Sequence, residues 1–175
     1  MTRARTDAVA EEDRTSWLVF SLGPNQLAVE LGRVIAIQEG RDIFPVPLVS
    51  PRVLGVTYWR DQALPVLKPE VLSQALGQDF EGTPGRRPAA SSAEPQLLGV
   101  MEWEGDYLGI LFDRIERVVR GAEIEETGED ELPTPRSDLV KPWGRYRRRA
   151  LYRLNLERIL EQVREGGLRR AQPSG

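Results

Sequence analysis

The chain has 175 residues, of which 40% are hydrophobic and 29% charged, so its composition is that of an ordinary globular protein. A formal net charge of −3 argues against a protein that holds nucleic acid mainly by neutralising phosphates. The absence of histidine and cysteine excludes imidazole bases, Cys–His pairs, disulfides and the common zinc ligand sets. We therefore expect a binding module with no cofactor and no catalytic site.

Neither end of the chain carries a targeting or membrane segment that we can identify. The first 14 residues are charged without the apolar core of a signal peptide, and no apolar stretch approaches the ~18 residues of a membrane span. We expect a cytoplasmic protein, associated with a membrane only through other proteins. Composition further predicts unstructured tails at 1–14 and 165–175, and a linker or long loop at 81–95, which is rich in proline and small residues.

The first predicted element is a β-hairpin. Apolar residues alternate with a period of two at Phe20 and Leu22, and again from Leu27 to Leu31, on either side of a Gly-Pro-Asn turn at 23–25. Prolines at 45, 47 and 51 then favour an extended, edge-like path. A second hairpin is predicted from Gly55 to Val66, turning near residue 61.

The tip of that second hairpin reads Tyr58-Trp59-Arg60-Asp61, and Tyr, Trp and Arg are the residue types enriched at binding hot spots. One interpretation is therefore a partner-binding surface. The alternative is structural: Trp59 caps the core, and Arg60 pairs with a nearby carboxylate such as Glu39. The residues alone leave both open.

The second half of the chain repeats the first. An offset of 81 positions places Phe20 on Met101, Leu27 on Leu108 and Gly40 on Gly121 without a gap, and predicts a matching hairpin with its turn at 104–106. Short strands separated by turns, twice over, suggest two small closed barrels. We predict a mainly β fold with two five-stranded barrel subdomains, 15–80 and 96–164, and a C-terminal amphipathic helix at 154–164.

Charge is unevenly distributed in the second half. Residues 123–131 hold six acids and no base, and residues 145–153 hold five arginines and no acid. The arginine run, with Arg145, Arg147, Arg148 and Arg149, could bind an acidic partner, RNA or a lipid head group. Charge runs are more often solvated surface, and this one could also pair internally with the acidic run.

The order of these motifs resembles the CheW-like domain, the adaptor family of bacterial chemosensory arrays. The resemblance covers about residues 15–164. It rests on Phe20-Ser21-Leu22, Val34 with Ile37, Pro47, Pro51, Gly55-Val56, Arg60, Pro65-Val66, Gly144, Leu154 and Leu156-Glu157-Arg158-Ile159-Leu160.

The resemblance implies a fold of two five-stranded barrels and a coupling role. One surface would hold the regulatory domain of a CheA-type histidine kinase, and another the cytoplasmic tip of a chemoreceptor. By position, Val34, Ile37 and Arg60 would carry the receptor contact. Together with the hairpin tip, the predicted partner-binding residues are Val34, Ile37, Leu54, Tyr58, Trp59 and Arg60.

The chain departs from the family pattern at several places. Tyr58 and Asp61 replace an Asn and a Gly beside the arginine, and Ala36 replaces an acidic residue that can pair with it. Lys68-Pro69 replaces an Asp-Leu pair, and Tyr152-Arg153 replaces an apolar strand pair. These departures suggest a specialised paralogue with a dedicated receptor or kinase, or with a partner outside chemotaxis.

Two alternatives therefore stand beside the coupling adaptor. The first is a CheW-like scaffold that recruits another protein, for polarity, pilus or gliding control, through Trp59 and the arginine run. The second is a barrel that binds single-stranded nucleic acid, with the arginines on the phosphates and Tyr146 and Tyr152 stacking on bases.

Overall fold

The computed structural model describes residues 10–47, 50–77, 96–128 and 131–171, with side chains of the last helix described as far as residue 165. The strands are β1 (Ser16–Leu22), β2 (Asn25–Glu30), β3 (Val34–Glu39), β4 (Val53–Trp59), β5 (Gln62–Leu67), β6 (Leu97–Trp103), β7 (Asp106–Phe112), β8 (Arg114–Arg120), β9 (Glu125–Glu126), β10 (Val140–Tyr146) and β11 (Arg149–Leu154). One helix follows the final strand of each half: α1 (Pro69–Ala75) comes after β5, and α2 (Leu156–Ala171) comes after β11. The fold is mainly β with a C-terminal helix, as predicted.

All three predicted hairpins form. β1 pairs with β2, β4 with β5 and β6 with β7, each antiparallel. The turn between β4 and β5 holds Arg60 and Asp61 at positive φ (48° and 60°), the conformation that a tight two-residue hairpin turn requires at both positions. The alternation of apolar residues, together with the turn residues, therefore predicted these three hairpins correctly.

The strands form two sheets, and the halves of the chain are exchanged between them. Sheet I has six strands in the order β8-β1-β2-β11-β10-β9, and sheet II has five in the order β3-β6-β7-β5-β4. Each sheet thus takes a hairpin from one half and three or four strands from the other. The prediction that 15–80 and 96–164 each form their own barrel is wrong. The alternation of apolar residues predicts which face of a strand is buried, but it does not predict which strand is its neighbour. Because the two halves are equivalent, a strand can pair with the corresponding edge of either half.

Internal duplication is visible in these elements. β6 and β7 follow β1 and β2 at the predicted offset of 81 positions. From Val53, which starts β4, to Val140, which starts β10, the offset is 87, because the segment between β8 and β10 is longer than that between β3 and β4. The parallel pairs β2–β11 and β5–β7 also correspond, so the two sheets are built alike.

Each sheet buries its own apolar cluster, and a third cluster lies between them. Even-numbered residues of β1, such as Leu18 and Phe20, enter the shared cluster, whereas Trp17 and Val19 face the cluster of sheet I. Phe20 packs against Phe112 of sheet II with ring centroids 4.9 Å apart. Because β1 is buried on both faces, its sequence is apolar almost without interruption.

The predicted tails are wrong where the structure describes them. Residues 10–14 are helical, and Glu12 forms an ion pair with Arg153, a partner that local sequence cannot show. Helix α2 continues past residue 164 to Ala171, because two glycines weaken a helix without necessarily ending one that is already nucleated. Residues 1–9 and 172–175 and the predicted linker at 81–95 lie outside the described residues.

Candidate functional site

Sheet II presents exposed apolar side chains on its two outermost strands. On β3 burial alternates, so that Ile35 and Ile37 point outward, each 39% exposed. On β4 the outward residues include Leu54 and Tyr58, and Tyr58 is 68% exposed. Phe44, which bridges β4 at Val56, adds a ring that is 53% exposed. We call these outward side chains the β3–β4 surface, and exposed apolar groups in such proximity are typical of a protein contact.

A cavity of about 500 Å³ opens within this surface. Its lining residues come from the end of β3, the segment that follows it, and β4: Gln38, Glu39, Arg41, Asp42, Phe44, Thr57 and Tyr58. Sheet II must curl for its outer strands to share one cavity, since β3 and β4 are separated by three other strands in the hydrogen-bonded order. This curl brings Tyr58 beside the β3 residues that follow Ile37 in sequence.

Trp59 and Arg60 form a stack at the tip of the β4–β5 hairpin. The Trp59 ring lies 5.1 Å from the ring of Tyr107 on β7, and the Arg60 guanidinium lies 4.6 Å from the Trp59 ring. Trp59 is half-buried and also packs against the apolar cluster of sheet II. Arg60 does not pair with Glu39, which holds Arg41 at 2.7 Å between Nε and Oε2. The indole therefore supports the core while one edge and Arg60 remain at the surface.

Val34 lies on the same face of β3 as Ile37, because a β-bulge at Ile35 interrupts the alternation and their partners on β6 are Met101 and Gly99, two residues apart. It packs against the cluster shared by the two sheets, and its side chain is half-buried. Val34 is covered by the shared cluster, whereas Ile37, further along the same face, is exposed. Ile35, the residue at the bulge, is also exposed, and the sequence interpretation did not single it out.

Phe44 and Tyr107 were also missed. Phe44 lies between the prolines and β3, in a segment without regular alternation, so no periodic pattern marked it. Tyr107 is on β7, which approaches Trp59 only through the β5–β7 pairing between the two halves. Long-range pairing of this kind leaves no local trace in the sequence.

A model of the family described as the CheW-like domain matches residues 16–164. The chain belongs to the CheW-like domain family. A similar solved structure is the scaffolding protein TtCheW from Thermoanaerobacter tengcongensis. It superposes with a TM-score of 0.60 at 17% identity, over 81% of this chain and 89% of that one. None of the curated proteins is significantly similar in sequence. The CheW family consists of non-enzymatic scaffolds, and membership supports a scaffold or adaptor role in chemotaxis.

The arginine turn of this CheW-like chain joins β10 to β11. Arg147 and Arg148 occupy the two turn positions at φ 49° and 65°, and both are exposed. Arg149 donates to the carbonyl of Pro24 at 3.1 Å and lies 3.7 Å from Glu116 on β8. Arg145 donates to the carbonyl of Arg148 at 3.5 Å. The ion-pair partner of the turn is thus Glu116.

The acidic run does not neutralise the turn within the described residues. Glu125 and Glu126 pair with β10 through backbone hydrogen bonds opposite Arg145 and Gly144, yet no described side chain of the run forms an ion pair with an arginine of the turn. Tyr146 and Tyr152, predicted as base-stacking residues, are both buried. The stacking hypothesis is therefore wrong for these two rings.

Arg153, one of the departures from the family pattern, occupies an aromatic cage. Its guanidinium lies 4.9 Å from the Trp17 ring and 4.0 Å from the Trp143 ring, and it donates to both carboxylate oxygens of Glu12, at 2.6 and 3.1 Å. The hydrogen bond from Arg153 lowers the pKa of Glu12, an effect that partial burial opposes and the charge of Arg153 reinforces. Burial raises the pKa of Tyr152.

Among the residues that the structure describes, no three His, Cys, Asp or Glu side chains lie close enough together to hold a metal ion. No helix there combines the length and the apolar character needed to cross a membrane.

Proposed function

We propose that this CheW-like chain is an adaptor that couples chemoreceptors to a CheA-type histidine kinase. In this proposal the β3–β4 surface holds the cytoplasmic tip of the receptor, and a second surface holds the regulatory domain of the kinase. The protein would then be cytoplasmic and reach the membrane through receptor arrays.

The observation that carries the proposal is the exposed apolar set on β3 and β4 beside an open cavity. Ile37 and Tyr58 belong to that exposed set, and the family resemblance assigns Val34, Ile37 and Arg60 to the receptor contact. Burying such side chains against a receptor tip would contribute roughly 25 cal/mol per Å² of apolar area. Leu54 on β4 and Ile35 on β3 are further exposed apolar side chains of these two strands.

A pull-down with a receptor tip and a kinase regulatory domain tests this proposal. Ile37→Asp places a charge in the apolar strip, so we expect receptor-tip capture to fall at least about tenfold, since burying an unpaired charge is costly. Val118→Asp is the matched control, because Val118 is the equivalent residue on β8 of sheet I and is 47% exposed. If the unsubstituted chain fails to capture the receptor tip, or fails to capture the kinase domain, the coupling role is overturned.

A second candidate is a scaffold for an acidic protein of another motility complex, held at the arginine turn. The observation that favours it is that Arg147 and Arg148 are exposed and have no carboxylate within ion-pair distance in the described part of the chain. The same pull-down separates the two candidates when it is repeated in added salt. Capture by exposed arginines would weaken steeply with salt, and capture by the β3–β4 surface much less.

A further inference from the structure

We propose that the cavity between β3 and β4 receives an arginine side chain of the bound partner. This inference rests on the proposed use of the β3–β4 surface, and it identifies the chemistry that anchors the partner there. It follows from three properties of the cavity: its aromatic walls, its uncompensated charge and its open shape.

The aromatic walls are Phe44 and Tyr58. Both rings are more than half exposed, and neither makes a ring–ring or cation–ring contact within the described residues. Elsewhere in the described chain arginines lie over aromatic rings, Arg60 over Trp59 and Arg147 over Tyr146. An aromatic face left open beside a carboxylate is a good receptor for a planar guanidinium, which stacks on rings and bonds to carboxylates.

The charge comes from Asp42. Three ionised groups line the cavity, and Arg41 pairs with Glu39, with 2.7 Å between Nε and Oε2. Asp42 has no hydrogen bond or ion pair with any described residue, so the cavity retains one uncompensated negative charge. Its φ of 54° places it in the left-handed region, which Asp and Asn adopt more readily than most residues.

Other occupants fit this cavity less well. An acidic side chain would meet the charge of Asp42 at close range. An apolar side chain would remove water from that carboxylate and leave it without a partner, which costs free energy. A cationic side chain both neutralises Asp42 and covers the two rings. Arginine suits the site better than lysine, because its planar fork can contact the ring and the carboxylate together.

Titration of the isotope-labelled full chain with N-acetyl-arginine amide, followed by backbone NMR, tests the inference without any partner protein. We expect saturable shifts at residues 38–44 and 57–58 with a dissociation constant in the millimolar range, as for a single exposed ion pair with a ring contact. N-acetyl-citrulline amide, a neutral probe of nearly the same shape, should give no saturable shift.

Asp42→Asn should weaken binding of the arginine probe about two- to fivefold, because it removes the charge and keeps a residue suited to the backbone conformation. Asp61→Asn is the matched control: Asp61 is exposed, has a similar φ of 60° and lies outside the cavity. Equal binding of the citrulline probe, absence of saturation, or equal effects of the two substitutions would overturn the inference. Failure of receptor-tip capture would instead overturn the coupling role and leave this result standing.

Discussion

The guanidinium of Arg153 lies partly buried between two indole rings and is neutralised by Glu12, although the family pattern has an apolar residue at this strand position. A charged group in such a place is tolerated only when it is paired and packed, since an unpaired buried charge is strongly destabilising. Here the rings of Trp17 and Trp143 supply cation–π contacts, and Glu12 supplies the opposite charge. The ion pair therefore fastens residues 10–14 to β11.

The lowered pKa of Glu12 predicts a pH-dependent contribution to stability. Its ionised form is favoured in the folded state, so the contribution is fully present above the ordinary carboxyl value of 4.5 and is lost as pH falls through the lowered pKa. Because the carboxylate is 42% exposed, solvent screening keeps the contribution to about 0.5–1 kcal/mol. Urea unfolding of Glu12→Gln should show this loss at pH 7 and almost none near pH 3.

The neighbouring Glu11 provides the control for that measurement. In the described chain its side chain forms no ion pair, and only its backbone carbonyl accepts a hydrogen bond, from Thr15. Glu11→Gln should therefore leave the pH dependence of the free energy of unfolding unchanged. If the two variants behave alike, the Glu12–Arg153 pair does not contribute to stability.

At the level of elements, β3 shows what its sequence cannot specify. Simple alternation from Val34 to Glu39 would put Val34 and Ile37 on opposite faces. A β-bulge at Ile35 instead places them on one face, where Val34 is covered by the shared core and Ile37 is exposed. The family resemblance, read by position, put both residues in one contact, and that assignment stays a prediction. The bulge depends on the pairing of β3 with β6, which no local pattern marks.

The difference in burial between Val34 and Ile37 predicts different outcomes for the same kind of substitution. Val34→Asp would bring a carboxylate against the shared core, so we expect the free energy of unfolding to fall by about 2 kcal/mol or more. Ile37→Asp leaves the carboxylate in water and should cost about 1 kcal/mol or less, mainly through lower β propensity. Chemical denaturation of both variants measures the difference, and equal losses would contradict the assigned burial.

Much of the β3–β4 surface lay beyond what the sequence could predict. Tyr58, Trp59 and Arg60 were identified because turn chemistry placed a hairpin tip around Asp61. Phe44 has no periodic context, and the contact between Trp59 and Tyr107 depends on pairing between β5 and β7. Local patterns of apolar and turn residues predict where strands and turns lie. Contacts between residues distant in sequence depend instead on which strands pair with each other.

For the whole molecule, the exchange of strands makes the two halves mutually dependent. Sheet II contains β6 and β7 from the second half among β3, β4 and β5 from the first, and the cluster between the sheets draws on both halves. Neither half alone can satisfy the hydrogen bonds of its own strands or bury their apolar faces.

Separate expression of residues 1–80 and 96–175 should therefore yield two unfolded fragments. Mixed together, they should assemble and recover the circular dichroism of the intact chain, with one cooperative unfolding transition. The intact chain cleaved at a protease site inserted within 81–95 is the control, and it should stay folded as a two-piece complex. A cooperative transition in either isolated fragment would show that it holds a complete sheet.

The exchanged hairpins also carry an ancestral implication. Two copies of a polypeptide of half this length could exchange hairpins and form both sheets as a twofold symmetric homodimer. Gene fusion would then turn that dimer into a single subunit and free its two equivalent sites to diverge. At the equivalent turns of the two sheets, Arg60 and Arg147 each lie over the ring of the preceding aromatic residue, whereas Asp61 corresponds to Arg148. The divergence between these turns is therefore a reversal of charge at one position on an otherwise similar hairpin tip.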